Sequence, residues 1–339
     1  MHAYDFGPVG NIGDYNCRLN LLDYTVGFPS SKIPVREAYS NAEAAPPDLS
    51  GLIAVNKPFG LKIHSHDKPG TRSKNGQSPV VSSIPDCNLT FEDTLGELKE
   101  RLKISNLSIL KSAERYTSGI VLLSTNENTT AAVYKSFNRA KFQKIPHLTH
   151  WAITLGYPSV TYKKEKVGIK FLEVENENKK QPIIVSDPSK RESRLKKVHP
   201  VHVEYRVLSL NKALKTSLIE ISSSSVKYHF IRVYASSHIC SILGDIMYSN
   251  RMNTVMGVPV KVHIEHCHAF DFQPLPENMT KALNLPKNVD CTVIPHMLHL
   301  RSIFLPKFKG EDVTITADLP PHFQWTTEKL NLLSSNSEK

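Results

Sequence analysis

Glu114-Arg115-Tyr116-Thr117-Ser118-Gly119-Ile120-Val121-Leu122-Leu123 is the stretch on which the fold turns. Its second half, Gly119–Leu123, is the longest apolar run in the chain. A membrane helix needs about 20 apolar residues, so this run suits one buried strand, and no membrane span is expected. Upstream, Leu52-Ile53-Ala54-Val55 is a second short apolar run, broken by the turn residues Asn56-Lys57-Pro58-Phe59-Gly60. Between the two, Thr90 is placed to cap a helix over 91–102, with Asp93 in its first turn and Leu95, Leu98 and Leu102 at helical spacing. Downstream, the pattern predicts a helix over 128–141 with a basic end at Lys135, Arg139 and Lys141. Strands are expected at His150–Thr154, Val201–Leu208 and Ser217–Ile221, and a last helix near 325–333. Strands and helices mix without a βαβ rhythm or a solenoid repeat, which argues for an α+β fold.

The chain has 339 residues, 40% hydrophobic and 22% charged, a globular composition. Lys and Arg number 42 against 32 for Asp and Glu, a net charge of +10 that favours a polyanionic partner. Cys17, Cys87, Cys240, Cys267 and Cys291 are scattered and odd in number, so they read as reduced thiols. No apolar signal segment follows Met1, and Asp5, Asp14 and Asp23 interrupt any basic presequence. Residues 1–48 read as an extension or arm, 49–325 as the main domain and 326–339 as a tail. Within the domain, 160–198 is rich in Lys, Glu and Asn, and reads as a hairpin plus a flexible basic loop. The basic segments 66–74, 135–144 and 190–197 are the expected polyanion contacts.

No phosphate loop, dinucleotide fingerprint, zinc-protease motif or serine-hydrolase elbow occurs. His263-Ile264-Glu265-His266-Cys267-His268 invites a metal reading, and as a strand it would place His266 and His268 on one face. Zinc usually takes four ligands from separated segments. His296 and His299 could supply a second pair, but nothing in the pattern demands it, and a histidine-rich strand without metal is the expectation.

Taken in order, several segments resemble the motifs of the RluA-type RNA pseudouridine synthases. Gly51–Leu61 resembles the first motif, and Glu114–Leu123 the second, with its Thr-Ser-Gly and apolar strand. His150-Trp151-Ala152 stands where the family has Lys-x-Tyr-x-Ala, and Val203–Leu208 resembles the strand before the next motif. Lys227-Tyr228-His229-Phe230-Ile231-Arg232-Val233-Tyr234 resembles Arg-x-His-Gln-Ile-Arg-Val-His, followed at family spacing by Leu243–Tyr248. Leu298-His299-Leu300 and Leu319–Phe323 resemble the closing segments, so the likeness covers about 50–325. A looser likeness, through Gly244–Ser249, Thr254-Val255, Gly257 and Leu319-Pro320-Pro321, points to a divergent mitochondrial mRNA branch of that family.

The resemblance implies a mixed, mostly antiparallel sheet with flanking helices and a central RNA cleft. It implies isomerisation of uridine to pseudouridine in RNA without a cofactor. The target base is flipped out of its stack, an Asp carboxylate attacks the nucleoside, the C–N glycosidic bond breaks and the base rejoins through carbon. An Arg in the second motif, a Tyr against the uracil and a distant Arg paired with the Asp assist. In this chain the Asp position holds Glu114, the helper Arg is Ser112, the Tyr is His150, and the pairing Arg survives as Arg232. The implied catalytic set is therefore Glu114, His150 and Arg232. The implied RNA contacts are Lys57, Lys111, Arg115, Tyr116, Lys227 and His229, with no metal. The extra methylene of Glu114 moves its charge by roughly 1 Å, and such misplacement can cost about a hundredfold in rate.

Plainer readings stand beside these. Glu114 next to Arg115 is equally an exposed ion pair, and Lys57 is equally a turn cap. His229 reads as structural. Arg232, placed on an apolar alternating strand, needs a partner, for which Glu114 is the implied choice. Three functions remain in view. One is an isomerase with a modified site. Another is an inactive binder of structured rRNA or mRNA, working with mitochondrial ribosome or RNA-granule proteins. The third is a basic metal-binding module. The branch resemblance implies a mitochondrial location, and otherwise a cytoplasmic one.

Overall fold

The first apolar run forms strand β1 (Leu52–Lys57) in the computed structural model, which describes residues 51–64, 90–174, 179–255, 258–267, 272 and 274–333. The expected arm 1–48 and the basic segment 66–74 lie outside the described residues. Helix α1 (Phe91–Leu102) starts where Thr90 caps it. Thr90 Oγ1 accepts from Asp93 N at 3.3 Å, and the Asp93 carboxylate accepts from Thr90 N at 2.8 Å. Strands β2 (Ser108–Ser112) and β3 (Ser118–Ser124) then flank the turn that carries Glu114. Asn126 caps helix α2 (Glu127–Phe142), accepting from Thr129 N at 2.8 Å, and β4 (Leu148–Leu155) follows.

The charged stretch forms the expected hairpin, β5 (Tyr162–Val174) with β6 (Lys179–Ser186). Its basic end, expected as a loop, is a short helix, α3 (Lys190–Arg194), because Ser189 Oγ accepts from Glu192 N at 3.1 Å and caps the turn. Then come β7 (His199–Asn211), β8 (Thr216–Ser223), α4 (Phe230–His238) and β9 (Ser241–Ile242). A separate hairpin of β10 (Met252–Val255) and β11 (Val258–Lys261) precedes α5 (Glu277–Ala282), β12 (Leu298–Phe308) and β13 (Glu311–Thr316). The last helix, α6 (Pro321–Lys329), begins at Pro321 rather than near 325, since proline at the first helical position has no N–H to leave unsatisfied. Phe323, Leu330 and Leu332 are buried, so the packed chain continues past the expected limit at 325.

The main sheet runs β1-β3-β12-β4-β8-β7-β5-β6, with β2 on β3, β13 on β12 and β9 on β4. Its pairings are antiparallel except β3 with β12, where His299 lies opposite Ser118 and Leu300 opposite Gly119. That approach requires Gly119. At φ 118° a Cβ there would sit 2.3 Å from the Leu300 carbonyl oxygen. The two-residue period of β3 divides it between two cores. Val121 and Leu123 pack with Phe91 of α1, whereas Ile120 and Leu122 pack with Val133 of α2 and the β12 side chains Leu300 and Ile303. A third core joins β5, β7 and β8 to Phe230, Ile231 and Tyr234 of α4. On β4, His150 shares its face with Leu148 and Ala152, which belong to the α2 and α4 cores respectively, so it stands between the two.

Candidate active site

Between the α2 and α4 cores lies a cleft of about 310 Å³, counted with its open mouth. Its lining includes Lys111, Ser112, Glu114, His150, His229 and Arg232. Five of the nine implied site residues are thus brought together from three segments distant in sequence.

Glu114 opens a tight turn in which Thr117 N donates to the Glu114 carbonyl at 3.0 Å. That turn is pinned from two sides. Gly60 N donates to the Arg115 carbonyl at 3.0 Å, and the His296 imidazole donates from Nδ1 to the Tyr116 carbonyl at 2.7 Å. Lys57 adds to this from below. Its ammonium is fully buried and donates to the carbonyls of Pro58 (3.0 Å), Leu61 (3.2 Å) and Arg115 (3.4 Å). Lys57 therefore holds the Glu114 turn and does not face a phosphate, which corrects its assignment as an RNA contact. Burial lowers its pKa to about 7, against the opposing pull of the Glu114 charge.

The segment read as an alternating strand around Arg232 is a turn followed by helix α4. Tyr228 (φ 59°) and His229 (φ 57°) are consecutive left-handed residues and neither is glycine, which costs roughly 1–2 kcal/mol each. The turn leaves Tyr228 exposed and brings His229 Nδ1 to Glu114 Oε2 at 2.9 Å. Burial pushes the Glu114 carboxyl up, but the His229 hydrogen bond and charge, with Arg232 and His150, outweigh it and hold it below the usual carboxylate range. Glu114 is therefore ionised at neutral pH.

Arg232 does not pair with Glu114. Its guanidinium forms a two-point ion pair with Asp245, with Nε donating to Oδ2 at 3.1 Å and Nη2 to Oδ1. Both side chains are buried, and Arg232 also packs over the rings of Tyr248 (5.1 Å) and Tyr116 (5.8 Å). Asp245 accepts further from Met247 N (2.9 Å) and Tyr248 N (3.1 Å). Burial would raise its pKa, but Arg232, His296 and the backbone donor together hold it far down. Asp245 was missed as a site residue although Leu243-Gly244-Asp245 carried part of the family likeness. Its signal is Gly244, whose φ of 78° lets the loop approach the Pro295 carbonyl where a Cβ would come within 2.3 Å.

His150 lies opposite Leu300 and Ile221 in the sheet, and burial drives its pKa down to about 4, against the Glu114 charge. It is a neutral imidazole, and its Nδ1 has no hydrogen-bond partner among the described residues. Lys111, also in the cleft, has its pKa lowered by burial, with Glu114 opposing. Arg115 and Tyr116 continue the Glu114 turn, the guanidinium 5.1 Å from the ring centroid, and Lys227 is exposed beside His229.

The histidine cluster is not a strand. Ile264–His266 is a 3-10 turn, His263 pairs with Glu265 at 3.4 Å on the surface, and His268 lies outside the described residues. The two other histidines are engaged elsewhere, His299 with Ser118 (3.0 Å) and His296 with the Tyr116 carbonyl. No group of three or more potential metal ligands occurs among the described residues. No helix among them is long and apolar enough to cross a membrane.

No family model matches the chain. It is similar to the mitochondrial mRNA pseudouridine synthase of Homo sapiens, 28% identical over 309 residues that span 90% of this chain and 81% of that one. It is 26% identical to the ribosomal large subunit pseudouridine synthase C of Rickettsia conorii over 201 residues, 59% of this chain and 54% of that one. Among solved structures, human RNA pseudouridylate synthase domain containing 4 shares the fold. The TM-score is 0.58 at 21% identity, over 84% of this chain and 92% of that one. The ordered motifs, the mixed sheet and these relatives agree: the chain resembles the RluA-type pseudouridine synthases in sequence and shares the pseudouridine synthase fold.

Proposed function

We propose that this chain binds a uridine-containing RNA in the cleft above Glu114, and that its isomerase chemistry is impaired. One observation carries the second half. The arginine expected to accompany the attacking carboxylate, Arg232, is committed to Asp245, and a Glu114 oxygen is engaged by His229. Ser112 brings no charge to the helper position, while neighbouring Lys111 supplies a cation that can hold an RNA phosphate. The RNA reading is supported by the family likeness, by the net charge of +10, by Lys111 in the cleft lining and by exposed Lys227 near it.

The functional unit in this reading begins near residue 49 and runs through α6, with 1–48 as an arm. The relative named as a mitochondrial mRNA pseudouridine synthase favours a mitochondrial location. The substrate class is a structured mRNA or rRNA, with ribosome or RNA-granule proteins as neighbours. A second reading, an active isomerase, is favoured by the ionised state of Glu114, the state a nucleophile needs.

Crosslinking to RNA together with pseudouridine mapping at nucleotide resolution separates the two. A binder crosslinks through the cleft, and Glu114→Ala changes neither RNA affinity nor pseudouridine content. Pseudouridine formed by the purified wild type, lost in Glu114→Ala and kept or raised in Glu114→Asp, would replace the first reading with the second.

A further inference from the structure

Beside the cleft the surface carries an exposed aromatic pair that neither the fold nor the cleft chemistry uses. Phe171, on the β5–β6 hairpin, and Tyr228, in the left-handed turn, are 46% and 45% exposed. Their ring centroids are 4.8 Å apart at 73°, an edge-on contact that occupies at most one face of one ring. His199 adds a third ring, 6.4 Å from Tyr228 at 90°. Lys227 and Lys141 both bear on His199, and Lys227 also bears on Lys111 inside the cleft. Neither Lys227 nor Lys141 forms an ion pair with a carboxylate among the described residues. Tyr228 directly precedes His229, so the aromatic pair lies one residue, about 3.8 Å along the backbone, from the Glu114 partner.

We propose that Phe171 and Tyr228 form a stacking platform for an unpaired nucleotide next to the base held over Glu114, with Lys227 and Lys141 on its phosphates. This rests on the RNA reading of the cleft and adds the form of RNA it takes. An apolar partner would gain nothing from the surrounding lysines, whereas single-stranded RNA supplies a planar base for each ring and a phosphate for each cation. A duplex keeps its bases stacked on one another and cannot use the platform. The left-handed turn has a matching role, since one strained dipeptide sends His229 into the cleft and Tyr228 to its rim.

The test is fluorescence anisotropy with a labelled single-stranded oligouridine and, separately, an RNA duplex, across a salt series. Phe171→Ala and Tyr228→Ala should each weaken oligouridine binding roughly ten- to a hundredfold, with an unchanged salt slope and little effect on the duplex. Tyr228→Phe should bind like wild type. Lys227→Ala should instead flatten the log–log salt slope by about one unit. Melting curves confirm folding, and Phe171→Ala carries the test if the strained turn does not tolerate Tyr228→Ala. Wild-type binding that both alanine variants match, or an equal loss on duplex RNA, overturns the platform and leaves the cleft reading standing. A wild type that binds neither RNA overturns both.

Discussion

Replacing Asp245 with alanine separates the observed charge arrangement from the one implied by family likeness. Arg232 and Asp245 are each 1% exposed, and the carboxylate accepts two guanidinium and two backbone hydrogen bonds. Removing it leaves a buried guanidinium facing the Met247 sulfur at 3.4 Å and two aromatic rings. Leaving one partner of a buried pair uncompensated costs about 3–5 kcal/mol. In a chain of this size 1 kcal/mol moves the melting temperature by about 2 °C, so Asp245→Ala should lower it by about 6–10 °C. Glu114→Ala is the control. It removes a carboxylate whose partner, His229, is 41% exposed, and the loss should be about 1 kcal/mol or less. Calorimetry and urea titration measure both variants. The Asp245 carboxyl has a folded pKa below its unfolded one, so its contribution is complete above pH of about 4 and fades as pH falls further. The wild-type advantage over Asp245→Ala should therefore be constant from neutrality down to about pH 4 and narrow below it. Equal losses in the two variants, or an Asp245→Ala loss within about 1 kcal/mol, would refute the assignment of Arg232 to Asp245.

Three other outcomes follow from the same structure. Burial lowers His150, His296 and His322 to about 4 and His299 to about 3. The unfolded chain takes up these protons near 6.5 and the native one does not, so stability measured by urea titration should fall from about pH 6.5 toward pH 4, and a flat profile there would contradict their burial. Gly119→Ala would press a Cβ against the Leu300 backbone at 2.3 Å, and should cost about 3 kcal/mol or more; an unshifted urea midpoint would refute the close β3–β12 crossing. Reversing Lys190, Arg191, Arg194, Lys196 and Lys197, which are exposed on and after α3, should weaken RNA binding and its salt dependence while leaving the melting temperature in place; unchanged affinity would remove this face from the RNA path.

The parts legible in the sequence are those settled within a few residues. Thr90 with Asp93 starts α1 at Phe91, because a cap and its helix are one local hydrogen-bond problem. Gly119–Leu123 reads as a buried strand because covering both faces of β3 leaves no polar position in that run. The ordered family likeness extends this to the whole sheet and to the convergence of Glu114, His150 and Arg232 on one cleft. What tertiary structure alone decided is which charge meets which. Arg232 has two acidic candidates, Glu114 far upstream and Asp245 close downstream, and only the approach of the Gly244 loop to α4 selects Asp245. Lys57 looks like an exposed turn lysine until the Arg115 carbonyl folds over it. The turn at Tyr228-His229 is hidden in a pattern that alternates like a strand, because a left-handed dipeptide without glycine carries no local signature. A buried charge is satisfied by whichever groups arrive from elsewhere in the chain, and linear spacing does not encode that arrival.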